Sequence, residues 1–423
     1  MDSPNTPLSR RRFLHSSALF LGTAALPRFL RGEEAGSRLV TSNPNGDYWE
    51  SVRAQFAFSE AAVPMNAANL CPSFRAVAET VERLTADIDA DCSFNNRAKF
   101  GDLLEEARSL IAKQTGADAD EVALVRNTSE ANNIINNGLN LEAGDEVLIW
   151  DQNHPTNHVA WEVRAARFGT RVRKVATPAQ PGSVDELVDT FVNAIGPRTR
   201  VLALTHISNL SGIRLPVREI VAAAHERDIY VHVDGAQSWG ALALDLHEMD
   251  VDSFSASAHK WFMGPKEVGL LFVAKRNIQR IWPAVVAPGW GDDIEADPVG
   301  ARKFESLGQR DDAALAAAGF TAQLHEDIGP ARVQARITEL AEMLKSGISD
   351  LGLELVTPKS EELSHGVCII RVPGGQAERI NNRLYSEYGI AGAPAGGLRL
   401  SPTVYNTDAH IERALAAIKA LLA

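Results

Sequence analysis

Short apolar segments alternate with amphipathic segments between residues 76 and 290. The apolar segments predict strands at 121–124, 146–150, 200–205, 230–233, 253–257 and 268–273. Intervening segments with apolar residues at helical spacing predict helices at 100–115, 130–139, 183–194 and 217–227. Strands that are apolar on both faces and separated by helices are typical of a mainly parallel sheet covered on both sides. The pattern therefore predicts an α/β fold.

The pattern changes at the turn residues 288–291, Pro-Gly-Trp-Gly. Beyond this turn we predict long helices at 311–325 and 330–351, strands at 366–372 and 397–401, and a closing helix from Asp408. The chain before residue 75 predicts a short helix at 48–58 and an extended segment at 65–72. We predict a signal and linker at 1–35, a large domain at 76–290, and a smaller α+β domain formed by 36–75 with 291–423.

Composition excludes several classes of protein. The 423 residues are 45% hydrophobic and 23% charged, with a net charge of −12 and three cysteines. An acidic chain without a basic run after its N-terminus does not fit nucleic-acid binding. Three dispersed cysteines are too few for a disulfide framework, and they do not form a zinc-binding pattern. A soluble enzyme of two domains is the expectation.

The N-terminus predicts export. Arg10 and Arg11 precede Phe13-Leu14 and an apolar stretch at 16–26 that is too short to span a bilayer but suits a signal peptide. Paired arginines in this context resemble a bacterial twin-arginine signal. That route carries folded proteins, which suits an enzyme that loads its cofactor in the cytoplasm. We therefore expect a periplasmic protein without a membrane span after signal removal. A basic tail without a signal function is the alternative.

Lys260 and Asp234 give the strongest chemical indication. Lys260 follows a strand of small residues and precedes aromatic residues, a context that favours a desolvated and therefore uncharged amine. Asp234 ends a predicted buried strand, at the edge where open α/β sheets bind ligands, although such an Asp also caps helices. An amine that forms an imine and a carboxylate that holds a heterocyclic nitrogen are what pyridoxal phosphate requires.

Further polar residues follow the predicted strands. A helix that begins near Thr128 and Ser129 offers N–H donors to a phosphate, or is an ordinary helix start. Other candidates lie in the lysine loop, after the strand at 146–150, after Asp234, and after the strand at 200–205. They are Ser257, His259, His154, Gln237 and Asn209.

The combination resembles the class V aminotransferase family of fold type I pyridoxal-phosphate enzymes, from about Asn66 to the C-terminus. Its most specific parts are Asp234-Gly235-Ala236-Gln237, Ser257-Ala258-His259-Lys260 with Gly264-Pro265, and Arg399-Leu400-Ser401. The resemblance implies a large domain with a sheet of the seven-stranded type and a smaller C-terminal domain. It implies that Lys260 holds the cofactor as an imine and moves protons at the substrate carbon, while Asp234 pairs with the pyridine nitrogen.

The resemblance also implies roles for the other candidates. Gln237 and Asn209 would contact the phenolic oxygen, His154 would stack on the ring, and the phosphate would be bound by Thr128, Ser129, Ser257 and His259. Arg399 would bind the substrate carboxylate, assisted by Asn69; the alternatives are a surface ion pair and a turn. The family implies a homodimer in which a neighbouring subunit completes the phosphate site. Here Gln309 stands where a threonine is usual, and its amide can still donate.

The positions of the cysteines narrow the range of possible reactions. A cysteine desulfurase needs a mobile cysteine shortly before the arginine, and 385–397 contains none, while Cys368 lies in an apolar strand. We therefore expect an enzyme that abstracts the Cα proton of a small amino acid, in amino transfer, epimerisation or C–S lyase chemistry. His158, His206 and Tyr405 are candidates for a second acid or base. No metal is implied, and a non-catalytic binding module on this fold is the contrasting hypothesis.

Overall fold

The computed structural model describes residues 48–287 and 300–422, and a seven-stranded sheet forms its centre. The strand order is β2-β8-β7-β6-β5-β3-β4. β8 runs antiparallel to both of its neighbours and all other pairs are parallel. The strands are β2 (Val122–Val125), β3 (Glu146–Trp150), β4 (Arg171–Val175), β5 (Thr199–Thr205), β6 (Tyr230–Asp234), β7 (Ser253–Ser257) and β8 (Gly269–Val273). The predicted α/β class and the mainly parallel sheet are confirmed.

Helices cover this sheet and build the rest of the chain. The helices are α1 (Tyr48–Arg53), α2 (Arg75–Ala90), α3 (Phe94–Arg97), α4 (Lys99–Gln114), α5 (Thr128–Gly138), α6 (Pro155–Phe168), α7 (Val184–Val192), α8 (Val217–His225), α9 (Asp312–Ile328), α10 (Pro330–Asp350), α11 (Ala377–Tyr388) and α12 (Asp408–Leu422). Short 3-10 turns lie at Ala119–Glu121, Lys275–Arg280 and Gly300–Glu305.

The sequence prediction missed the edge strand β4. Its residues, Arg-Val-Arg-Lys-Val, are mostly charged and largely exposed, and only Val175 is buried. Central strands such as β6 and β7 are buried at every position and therefore appear as apolar or small-residue runs. An edge strand needs only one buried face, and charged side chains at an edge discourage pairing with other chains. Its polarity concealed it from a search for apolar runs.

Two small sheets lie outside the central one. β9 (Cys368–Ile370) pairs antiparallel with β11 (Leu398–Leu400), and β1 (Val63–Pro64) pairs parallel with β10 (Ile390–Ala391). The N-terminal segment thus joins the C-terminal part of the chain. Side chains from these strands form an apolar cluster with α10, α11 and α12.

The helix α9 departs from the predicted division. It was expected within the smaller domain, but it packs along α4, and its Leu315 and Ala318 belong to the core cluster of the central sheet. The contact is close at Gly319, where an added Cβ would lie 2.5 Å from the Cα of Ala107. Six alanines and a glycine make α9 slim enough for this approach. No helix in the described ranges is long and apolar enough to cross a membrane. The twin-arginine segment lies outside those ranges.

Candidate active site

Loops after five strands surround one cavity of about 260 Å³ at the carboxyl edge of the central sheet. The strands concerned are β2, β3, β5, β6 and β7, and parallel strands bring the residues that follow them to one edge. Ten of the twelve predicted site residues line the cavity: Asn69, Thr128, Ser129, His154, Asn209, Asp234, Gln237, Ser257, His259 and Lys260. Arg399 and Gln309 do not line it.

Lys260 is held in place by the loop that follows β7. Its carbonyl accepts a hydrogen bond from the N–H of Met263 at 2.8 Å, and Met263 adopts a positive φ of 56°. The next side chains, Trp261 and Phe262, are fully buried, so the loop cannot move away from the core. Desolvation lowers the pKa of the Lys260 amine, the nearby Arg399 lowers it further, and Asp234 opposes both. These surroundings favour the uncharged amine that the sequence predicted.

Asp234 is buried at the end of β6 and both of its oxygens accept hydrogen bonds. Oδ1 accepts from the N–H of Ala236 at 3.0 Å, and Oδ2 accepts from Nδ2 of Asn132 at 2.9 Å. Asn132 lies on α5 and was not predicted as a site residue. An aspartate that only capped a helix would not need a donor from a side chain 102 positions away. The arrangement instead presents a fixed carboxylate to the cavity.

The N-terminus of α5 forms one end of the cavity. The Asn127 side chain caps this helix by accepting from the N–H of Glu130 at 3.0 Å. The Ser257 hydroxyl accepts from the Thr128 N–H at 2.8 Å and lies 2.6 Å from the Thr128 hydroxyl. Ser129 also lines the cavity here. Hydroxyls together with a helix N-terminus form a site suited to an anion such as phosphate.

His259 lies near the same end but is oriented by another contact. Its Nδ1 donates to the carbonyl of Lys266 at 3.1 Å, so the neutral ring has no second proton for a phosphate. Burial and the adjacent Lys260 lower the pKa of His259. Donation to phosphate therefore requires the imidazolium form, which a bound anion would favour.

His154 lies at the rim of the cavity, at the start of α6. Its Nδ1 accepts from the N–H of Thr156 at 3.3 Å and also contacts the Thr156 hydroxyl. Desolvation and then Lys260 lower the pKa of His154, so the neutral ring carries its proton on Nε2. The ring is exposed, which leaves a face free for stacking.

Gln237 and Asn209 are fixed by different contacts. Gln237 donates from Nε2 to the carbonyl of Ala68 at 2.9 Å and accepts from Nε1 of Trp261 at 2.8 Å. One N–H of its amide stays available to a ligand. Asn209 uses its backbone carbonyl to accept from Nη1 of Arg399 at 3.0 Å, which leaves its side chain toward the cavity.

Arg399, on β11, is 4% exposed. Its Nη2 donates to Oδ1 of Asn66 at 3.1 Å, whereas its Nε is buried without a hydrogen-bond partner. Burial lowers the pKa of Arg399 to about 10. Among the described residues no carboxylate forms an ion pair with it, so the predicted alternative of a surface ion pair does not fit. Asn69 is exposed in a turn, where its N–H donates to the carbonyl of Asn66 at 2.9 Å.

Gln309 lies away from the Lys260 cavity of its own chain. It is exposed, accepts from Nη2 of Arg97 at 2.6 Å, and donates to the carbonyl of Arg310 at 3.0 Å. It lines a neighbouring cavity of about 490 Å³ that also includes Arg126 and Glu267. Any contact of Gln309 with a phosphate would therefore involve a second chain.

Sequence reasoning missed further polar residues of the site. Asn132, Thr156 and Thr205 line the cavity, and Asn66 binds Arg399. Thr156 and Thr205 each lie next to predicted residues or at a strand end, a signal that could have found them. Asn132 and Asn66 give no local signal, because their partners Asp234 and Arg399 are remote in sequence.

The residues present fit pyridoxal phosphate. The hydroxyl of Thr205 is buried at the cavity wall without a hydrogen-bond partner, which indicates a polar ligand. A carboxylate at one wall, an amine at Lys260 and hydroxyls at the N-terminus of α5 match the ring nitrogen, the aldehyde and the phosphate of that cofactor. Asp234, Lys260 and Thr128 would hold these three groups.

Comparison with known proteins assigns the family. The family model described as aminotransferase class-V matches residues 74–413. An isopenicillin N epimerase of Streptomyces clavuligerus is 30% identical over 391 residues, 88% of this chain and 98% of that protein. One of Amycolatopsis lactamdurans is 31% identical over 392 residues, with the same shares. A cysteine desulfurase of Escherichia coli O8 is 34% identical over 168 residues, 39% of this chain and 40% of that protein.

Solved structures show the same fold. A cystine C–S lyase in complex with cysteine persulfide has a TM-score of 0.79 at 23% identity, covering 85% of this chain and 97% of that one. A cysteine desulfurase from Escherichia coli has a TM-score of 0.78 at 22% identity, covering 89% and 99%. The chain belongs to the class V aminotransferase family, and it is a pyridoxal-phosphate-dependent enzyme that acts on amino acids. The predicted family, fold type and cofactor are confirmed.

Proposed function

We propose that this protein abstracts the Cα proton of a small amino acid with a free carboxylate, and that its reaction is an epimerisation. The observation that carries the proposal is Arg399, a buried guanidinium without an acidic partner among the described residues, close enough to Lys260 to lower the pKa of that amine. Burying a lone cation is costly. A carboxylate bound during turnover would compensate for this cost, and a planar guanidinium suits a carboxylate.

The proposed division of roles follows from the contacts of each residue. Arg399, held by Asn66 and Asn209, binds the substrate carboxylate and so orients Cα over the cavity. Lys260 takes the proton from Cα, because its surroundings favour the uncharged amine. When bound, pyridoxal phosphate supplies an electron-withdrawing ring that stabilises negative charge at Cα. Asp234 keeps the ring nitrogen protonated.

Epimerisation is favoured over sulfur transfer by the cysteines and by the comparisons. The segment 385–397, before Arg399, contains no cysteine. Cys71 and Cys368 are buried, and burial raises the pKa of each thiol to about 12, which opposes formation of the nucleophilic thiolate. Among the sequence matches, the relatives that cover 88% of the chain are epimerases, whereas the cysteine desulfurase matches over 39% of it.

We propose that the second acid or base of an epimerisation is one of the residues that line the cavity. His206 is buried and its pKa falls to about 3, while burial raises the pKa of Tyr405 well above its usual value. Neither they nor His158 line the cavity. His154 does, and its Nε2, which carries the proton of the neutral ring, remains for the substrate because Nδ1 is engaged by Thr156. We therefore assign Lys260 and His154 as the groups that exchange protons with the substrate.

Exchange of the Cα proton in heavy water tests this function. Amino acids are incubated with the cofactor-loaded enzyme, and proton NMR follows loss of the Cα signal while chiral chromatography follows the second enantiomer. We expect deuterium at Cα and the inverted product, both abolished in Lys260→Ala and retained in the surface control Lys113→Ala, whose side chain is 67% exposed. Pyruvate with ammonia would indicate elimination instead, and an oxo acid would indicate amino transfer. Cofactor binding without deuterium incorporation would refute Cα proton abstraction.

We also propose export by the twin-arginine route to the periplasm. Arg10, Arg11 and the short apolar stretch after them support it. Replacing both arginines by lysine should leave the protein in the cytoplasm, whereas the control Arg28→Lys should not change its location. Unchanged periplasmic delivery of the double variant would contradict the proposal.

A homodimer with an intersubunit phosphate contact is the last part of the proposal. The exposed amide of Gln309 lies outside its own chain's cavity, and it would exchange its contacts with Arg97 and the Arg310 carbonyl for one with a second copy. Sedimentation of the cofactor-loaded protein should give twice the mass of the chain. Gln309→Ala should weaken cofactor binding about tenfold, the loss expected for one hydrogen bond to a charged group. A monomer, or unchanged affinity in this variant, would contradict the contact.

A further inference from the structure

A chain of buried hydrogen bonds leads from the interior of the central sheet to Asp234. The Asn132 amide donates from Nδ2 to Oδ2 of Asp234 at 2.9 Å. Its Oδ1 accepts from Nε2 of His232 at 2.8 Å and from the hydroxyl of Ser255 at 2.5 Å. The other ring nitrogen of His232 lies 2.8 Å from the hydroxyl of Ser253. All five residues are buried, with exposed fractions of at most 5%.

Alternation along β6 and β7 places these side chains on one face of the sheet. His232 and Asp234 alternate along β6, and Ser253, Ser255 and Ser257 alternate along β7, its parallel neighbour. Side chains two positions apart on a strand point to the same side of the sheet. Both strands therefore turn polar groups toward α5, the helix that carries Asn132.

The chemistry of the groups permits one direction of donation along the chain. An ionised carboxylate can only accept, so the part of the Asn132 amide that faces Asp234 is its NH₂ group. The Asn132 oxygen then faces His232 and Ser255, and both must donate to it. His232 consequently carries its proton on Nε2, and the Ser253 hydroxyl donates to Nδ1. Burial lowers the pKa of His232 to about 3, so the ring is neutral and keeps this single proton.

If the Asn132 amide were reversed, its oxygen would face the carboxylate oxygen of Asp234, and both atoms are acceptors. Its NH₂ group would also face the Nε2 proton of His232, and both groups are donors. In a buried setting, two such repulsive contacts destabilise the reversed orientation by more than the remaining hydrogen bonds of the network stabilise it. His232 therefore fixes the orientation of Asn132, although it does not line the cavity.

We propose that Asn132 is a positioning residue, oriented by His232 and Ser255, that holds the Asp234 carboxylate as an acceptor aimed at the ring nitrogen of the cofactor. The network thereby keeps that nitrogen protonated. The inference rests on the proposed role of Asp234. Asn132 acts on the substrate only through Asp234 and the ring.

Two substitutions at His232 separate this role from packing. His232→Gln keeps an N–H donor close to the position of Nε2, whereas His232→Leu has similar size and no donor. Each protein is loaded with nitrogen-15 pyridoxal phosphate, and NMR reports protonation of the ring nitrogen. Equilibrium dialysis measures cofactor affinity. We expect His232→Gln to keep the wild-type signal, and His232→Leu to shift it toward the unprotonated form with affinity about tenfold weaker, as for one lost bond to a charged group.

A wild-type nitrogen signal in His232→Leu would overturn the inference, since packing alone would then explain the network. Asn132→Leu keeps the approximate size of the side chain but removes the donor to Asp234, and it should produce the same shift. It serves as the test if His232→Leu does not fold, and a wild-type signal there would likewise overturn the inference. Asp234→Asn distinguishes a failure of the network role from a failure of the proposed role of Asp234. If it moves the signal while the network variants do not, the network role alone fails; if it leaves the signal unchanged, the proposed role of Asp234 fails and the inference with it.

Discussion

Replacing Arg399 by glutamine should abolish carboxylate recognition while leaving the fold intact. The guanidinium is 4% exposed, is held by Asn209 and Asn66, and has an Nε without a partner. Hydrogen bonds to charged groups contribute about 1.5–3 kcal/mol each, and a bidentate contact to a carboxylate forms two. Glutamine can replace one of them by a weaker neutral bond. We therefore expect a loss of about 3–4 kcal/mol in transition-state stabilisation, which corresponds to a fall in kcat/KM of roughly a hundredfold to a thousandfold.

Stability should respond differently. Arg399→Gln loses two hydrogen bonds to protein oxygens, at about 1 kcal/mol each, but it also removes a desolvated cation that no acidic residue compensates. We expect the free energy of unfolding of the cofactor-free protein to change by about 1 kcal/mol or less, measured by urea titration. The matched control is Arg371→Gln, one position beyond β9, whose side chain is 54% exposed and paired with Glu354 at 2.7 Å. It should alter neither kinetics nor stability by more than about 1 kcal/mol.

The assay is Cα deuterium exchange with an amino acid and with its carboxamide. The wild-type enzyme should prefer the amino acid, and Arg399→Gln should lose this preference because its neutral side chain no longer distinguishes a carboxylate from an amide. Retained preference and an unchanged kcat/KM would refute carboxylate binding by Arg399. A loss of activity accompanied by several kcal/mol of destabilisation would instead indicate a structural arginine.

Three further predictions concern stability and the cysteines. His325 is buried and donates to the carbonyl of Phe262, and its pKa falls from 6.5 to about 4. Its neutral form is therefore favoured by folding, and stability is lost as pH falls below 6.5. Between pH 7 and pH 5 the loss is about 2 kcal/mol for this residue, and urea titrations of His325→Gln should show a pH dependence weaker by that amount; an unchanged dependence would contradict it. Gly235→Ala would place a Cβ 1.8 Å from the Phe254 ring, so we expect about 1–3 kcal/mol of destabilisation and loss of cofactor absorbance, and a wild-type urea midpoint would refute this. Cys71→Ser should retain Cα exchange within about twofold, because a buried thiol with a raised pKa is not a nucleophile; a hundredfold loss would reinstate sulfur chemistry.

Much of the fold followed from patterns that act over a few residues. β3 and β7 begin and end at the predicted residues, and α12 begins at Asp408 as predicted. Buried strands and amphipathic helices impose their period directly on neighbouring side chains. Edge strand β4 escaped the prediction because most of its residues are charged and exposed, so it contains no apolar run.

The site was predictable to the extent that its residues follow strand ends. Lys260, Asp234 and Thr128 each come directly after or at the end of a strand, and parallel strands bring such residues to one edge of the sheet. The resemblance to the family located Arg399. The sequence by itself thus determined the cofactor and the class of chemistry.

Only the tertiary structure decided how these residues are supported. Asn66 contacts Arg399 across 333 positions, and Asn132 contacts Asp234 across 102. Asparagine in a helix or a turn has no local signature of such a role, since its amide is equally suited to solvent. The direction of its hydrogen bonds is fixed by the groups that packing brings around it. For Asn132 those are a carboxylate, an imidazole and a hydroxyl, and their meeting depends on β6, β7 and α5 lying against one another.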